Sequence, residues 1–117
     1  MPVRIVCIVE GHGECESVPI LIRRIAQRFD PGLAVDIPHP IRIPRSKLLK
    51  PGELERAVKL AAVRAEAGGG ILVILDSDDD CPAKLAPDLA TRTRTARGDL
   101  PSAVVLPNGA LNRRIRP

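Results

Sequence analysis

Aromatic residues are almost absent: Phe29 is the only one, and the 117 residues contain no Trp or Tyr. Single-strand-binding surfaces that stack successive bases need several aromatic rings, so this class is excluded. Cysteine is scarce as well. Cys7, Cys15 and Cys81 form no CxxC pair, and an odd count does not make a disulfide framework. Cys7 sits within an apolar run and reads as core. His12, Cys15 and Cys81 supply a His-x-x-Cys and one distant thiol, short of the second pair a zinc site needs. No apolar run approaches the ~20 residues of a membrane span, and the N-terminus lacks a signal-peptide core. The chain reads as soluble and cytoplasmic, with no membrane partner.

What is present is aliphatic: 44% of residues are hydrophobic and 27% charged, in a length suited to one domain. The net charge of +4 is unevenly spread. Residues 1–83 carry 11 Lys/Arg against 12 Asp/Glu, and residues 84–117 carry 7 against 2, so the basic excess lies in the last third. Such an excess suits either a phosphate-bearing partner or a solvated basic face.

Val3 to Val9 is a β-branched apolar run, the pattern of a strand covered on both faces. Val18, Leu21, Ile22, Ile25 and Phe29 follow at helical spacing. Pro19 belongs in a first turn, which predicts a helix start near Glu14 to Ser17. Residues 31–46 alternate weakly and carry Pro38, Pro40 and Pro44, as an edge strand does. Pro51 opens a second predicted helix whose Leu54, Val58, Ala61, Ala62 and Ala65 share a face, with Gly68 to Gly70 as its stop. Ile71 to Leu75 is a second buried strand, Pro82 the start of a third helix that Pro87 should weaken, and Ser102 to Leu106 a last strand. Strands alternating with helices predict an α/β, Rossmann-like domain: a mostly parallel central sheet of about four strands with helices on both faces.

In such sheets the working edge lies beyond the carboxyl ends of the strands. The two most apolar runs end in acid there, Glu10 after the first, Asp76 and Asp78 after the second. If these strands are neighbours, three carboxylates converge, and Glu14, one helical turn beyond Glu10, can lean into the same space. Clustered carboxylates repel one another and call for a cation. Oxygen ligands at a sheet edge favour Mg²⁺ or Mn²⁺. Gly11 and Gly13 allow a tight turn and close approach by a ligand phosphate. Each group also has a plainer reading: Asp80 as a helix cap, Asp78 and Asp79 as turn residues, Glu14 and Glu16 as helix N-terminal acids. Glu10 has no capping role to explain it. The acidic run does not fit an EF-hand loop, which would need Gly where Cys81 stands and Glu where Pro87 stands.

A glutamate and glycine ending the first strand, with Asp-x-Asp after a later one, resembles the Toprim signature of topoisomerases, primases and overcoming-lysogenization-defect nucleases. The stretches VEGHGECESVPILIRRI and GGILVILDSDDDCPAKL are more closely similar to a prokaryotic Toprim-like family, domain of unknown function 4276. The resemblance covers roughly residues 3–90. It implies a Toprim fold binding Mg²⁺ through Glu10, Asp76 and Asp78, with Glu14 an approximate match to the second acid of the nuclease-type spacing; Asp80, in the same acidic run, is a further candidate metal ligand. It also implies a general acid/base or second-metal role for Glu10, and ATPase partners in defence-type gene clusters. The chain departs from the family after residue 106: LPNGALNRRIRP lacks an acid, an aromatic and helical periodicity. Residues 1–106 therefore read as the Toprim-like domain, and 107–117 as an irregular basic tail from truncation.

Two functional expectations follow. One is a Mg²⁺-dependent phosphodiester-processing domain, a nuclease effector acting on nucleic acid, with Arg42, Arg45, Lys47 and Lys50 guiding the backbone. The other is a non-catalytic or inactive module that docks on an ATPase or forms a homodimer. Its contact surface would be the edge strand and the alanine-rich second helix.

Overall fold

A computed structural model of the chain describes residues 3–65, 68–75 and 82–105, with only the helical backbone over 82–86. Its elements are β1 (Val3–Val9), α1 (His12–Phe29), β2 (Val35–Asp36), β3 (Ile41–Arg42) and α2 (Arg45–Leu48). They continue with α3 (Glu53–Ala65), β4 (Gly70–Ile74), α4 (Pro82–Ala96) and β5 (Ser102–Val105). All strand pairs are parallel, in the order β2-β1-β4-β5, with β3 also paired to β1. This is the α/β architecture expected from the alternation of apolar runs.

Both faces of the central strands are covered, which explains why they are apolar at nearly every position. On β1, Val6 and Ile8 face one layer, together with Ile71, Val73 and Leu75, and pack on Leu54, Ala57, Val58, Ala61 and Leu89 of α3 and α4. Cys7 and Val9 face the other way, with Ile74, and pack on Val18 of α1 and on Ile37. Burial pushes the Cys7 thiol up to about 11, so it stays protonated at neutral pH.

The proline-rich segment forms one edge strand in two pieces. Val35 and Asp36 pair with Val3 and Arg4 at the start of β1, and Ile41 and Arg42 pair with Ile8 and Val9 at its end. Pro38 and Pro40, which lack an N–H to donate, occupy the gap between the pieces. The Arg4 guanidinium donates to Asp36 Oδ2 at 2.8 Å and to the Arg64 carbonyl at 3.1 Å, tying β2 and the end of α3 to β1.

Three expectations are corrected. First, α1 starts at His12, so Pro19 stands well inside the helix rather than in its first turn. The lost N–H bond is tolerated because Pro19 is itself buried and contributes apolar area there. Second, α3 begins at Glu53, and Pro51 and Gly52 form the turn before it, Gly52 at φ +83°. Third, Ala57, Ala61, Ala62 and Ala65 of α3 are buried in the chain's own core, so this alanine face is not open to a partner.

α4 runs from Pro82 through Pro87 to Ala96, longer than Pro87 suggested. Buried Leu89 and Thr93 anchor it, and Arg92 donates two hydrogen bonds to the Glu55 carboxylate on α3, at 3.0 and 2.9 Å. Among the described residues no helix is long and apolar enough to cross a membrane.

Candidate functional site

The condition set by the sequence, that the two acid-ended strands be neighbours, is met. β1 and β4 pair directly over five registered positions, from Ile5 opposite Gly70 to Val9 opposite Ile74. Glu10 is the next residue after Val9, half-buried at a bend. On the other strand Leu75 follows Ile74, is fully buried, and donates its N–H to the Val105 carbonyl at 3.1 Å. The sheet thus continues up to the residue preceding Asp76. Asp76, Asp78 and Asp80 themselves lie outside the described residues, as do Cys81 and residues 106–117.

The turn from β1 into α1 is short. Gly11 is the N-cap of α1 in extended conformation (φ −113°, ψ 157°), without a side-chain cap. The Glu14 side chain folds back over it: a Cβ on Gly11 would collide with Glu14 Oε2 and lie 3.2 Å from Cδ. Glu14 therefore turns its carboxylate toward the strand-end side of the helix rather than away along the helix surface. That position also suits the positive end of the helix dipole, so the contact serves the helix whether or not a ligand binds. Gly13 lies in the first turn of α1, where a Cβ would meet open space, and its carbonyl accepts the Ser17 hydroxyl at 2.9 Å. The turn needs no left-handed residue at either glycine.

Cys15 Sγ points back at the Gly11 carbonyl at 3.7 Å, and His12 is exposed. Among the described residues, no three His, Cys, Asp or Glu side chains stand together as a metal group. Asp76, Asp78 and Asp80 are not among those residues.

One relationship was not legible in the sequence. Arg42 is in register with Val9, and the Ile43 N–H donates to the Val9 carbonyl at 2.8 Å. β3 therefore brings the basic segment to the same end of the sheet as Glu10. Arg42, Lys47 and Lys50 are exposed there, and Leu48 is buried in the core and anchors α2. A two-residue strand bounded by prolines has too little periodicity to announce its register.

The edge thus carries a carboxylate at the end of a central strand, a second carboxylate folded back over Gly11, and a basic flank. Chemically it suits a hard cation and an anionic ligand. No family model matches the chain, and no curated protein and no solved structure matches it.

Proposed function

We propose that the chain is a Toprim-like domain that processes phosphodiesters with Mg²⁺, a nuclease effector acting on nucleic acid. The observation that carries this reading is the β1–β4 ladder, which ends with Val9 opposite Ile74 and so brings the strand followed by Glu10 beside the one that leads to Asp76. The likeness of residues 9–25 and 69–85 to Toprim-like proteins supports it. The donor set, carboxylate oxygens only, fits Mg²⁺ or Mn²⁺.

Glu10, Asp76 and Asp78 would hold the ion, with Asp80 and Glu14 as outer ligands. Bound there, the ion would supply charge to neutralise a scissile phosphate and lower the pKa of an attacking water. Glu10 would serve either as that ligand or, instead, as the group that moves a proton to or from the leaving oxygen. Arg42, Lys47 and Lys50 hold the phosphate backbone of the nucleic acid at the same edge.

The test is cleavage of plasmid and single-stranded DNA with and without Mg²⁺ or Mn²⁺. Glu10→Gln and Asp76→Asn should each lower the rate by about 10²-fold or more. Equal cleavage by wild type and both variants would mark a contaminant and overturn the enzymatic reading in favour of a non-catalytic, ATPase-docking module.

A further inference from the structure

We infer that the outer face of α3 docks an amphipathic helix of a partner protein, one whose apolar stripe has acidic residues on both sides. Packing orients α3: Leu54, Ala57, Val58, Ala61, Ala62 and Ala65 are buried against the sheet, so the opposite side of the helix is turned outward. That side carries two large aliphatic residues, Leu60 at 45% exposed and Val63 at 72% exposed. They stand three residues apart and are neighbours on the helix surface. Lys59 and Arg64, both exposed, fall on the two sides of that pair. Arg56, also exposed, stands in line with it, one turn before Leu60. An apolar centre and a cationic border therefore share one outward face of a single helix.

Charge selects the occupant. Of the acids of α3, Glu53 is half-buried in the first turn, two turns before Leu60, and Glu55 is held by Arg92 of α4 at 3.0 and 2.9 Å. The residues of α3 that border Leu60 and Val63 bring only positive charge. A helix with an apolar stripe and acidic flanks matches both features at once. A second copy does not, because a two-fold axis sets a patch against itself. Centred on Leu60 and Val63, it brings cationic flank onto cationic flank whether the two helices run parallel or antiparallel. A nucleic-acid backbone would engage the cations and leave the two aliphatic side chains in water. A bilayer needs a broad apolar face, and the one on α3 is buried in the core. None of Arg56, Lys59, Leu60, Val63 and Arg64 belongs to the proposed metal site or its basic flank, so this inference stands independently of that reading.

The experiment uses the full chain and a designed, labelled helical peptide with leucines at helical spacing and glutamates on both flanks. Fluorescence anisotropy should show it binding about tenfold tighter than a twin with lysine flanks. A second twin, with serines in place of the leucines, should also bind about tenfold more weakly. Lys59→Glu combined with Arg64→Glu should reverse the flank preference. Val63→Ser, at an exposed position where folding is not at stake, should weaken the leucine peptide about threefold and leave the serine twin unchanged. Equal binding of the two flank twins would overturn the inference. Indifference to the leucines and to Val63 would do the same, reducing the contact to unspecific charge attraction. So would a concentration-dependent dimer dissociated by Val63→Ser, which assigns the face to a second copy. Displacement of the peptide by duplex DNA or by phosphatidylserine vesicles would assign it to a nucleic acid or a membrane and overturn it too.

Discussion

Val9 on β1 and Ile74 on β4 are register partners at the end of a parallel ladder. Glu10 follows one and Leu75 the other, and Asp76 comes next in the chain. Two acids more than sixty residues apart in sequence thus belong to strands that pair side by side. If these acids share a cation, its binding must stabilise the folded chain. Mg²⁺ or Mn²⁺ at a hundred times its dissociation constant should add about 2.7 kcal/mol, read as a rise in Tm. Glu10→Gln and Asp76→Asn should each remove that rise. A metal-induced shift that survives both substitutions would place the ion elsewhere.

Gly69 tests how closely the end of α3 and the start of β1 approach. A Cβ there would lie 2.5 Å from the Ala65 carbonyl oxygen and 2.7 Å from that of Arg4, both backbone atoms that cannot swing aside. Gly69→Ala should cost about 1–3 kcal/mol in urea unfolding. Gly68 differs in kind: its cost arises from a left-handed φ of +85°, with open space around it, and Gly68→Ala should cost about 1 kcal/mol. Wild-type stability in Gly69→Ala would show that the two backbones stand further apart.

The Glu55–Arg92 pair gives stability a pH dependence of known sign. The Arg92 guanidinium, through its hydrogen bonds, holds the Glu55 carboxyl below its usual 4.5. A depressed carboxyl contributes stability above its unfolded pKa and loses it as pH falls through the folded one. Glu55→Gln should therefore cost about 0.5–1 kcal/mol at pH 7, and the gap to wild type should close as pH falls below the usual 4.5 and through the lowered folded pKa. Asp99, held down to about 2 by Arg97 on the surface, is the same in both proteins and cancels from the difference. A gap unchanged between pH 7 and pH 3 would show that the pair adds no charge-dependent stability.

Local pattern made much of the fold legible. Val3 to Val9 and Ile71 to Leu75 announced central strands because burial on both faces demands apolar residues at nearly every position. Leu54, Val58, Ala61, Ala62 and Ala65 announced the buried face of α3 because helical spacing puts them on one side. Prolines at 38 and 40 announced an edge, since only an edge can spare the donors. Pro19 misled, because propensity is local and its cost was offset by burial that only packing could reveal. The alanine face misled for the same reason: small residues mark close packing, and the sequence does not say whether the neighbour is the chain itself or a partner.

The sequence by itself determined the alternation of elements, the covered strands and the acids at their ends, because these follow from periodicity over a few residues. Only the tertiary structure decided that β1 and β4 are neighbours in register, that Arg42 stands opposite Val9, the residue before Glu10, and that α1 leaves Ile22 bordering an open groove. Strand order, register and uncovered surface are long-range outcomes of packing whole elements against each other. They appear only when the strands have chosen their partners.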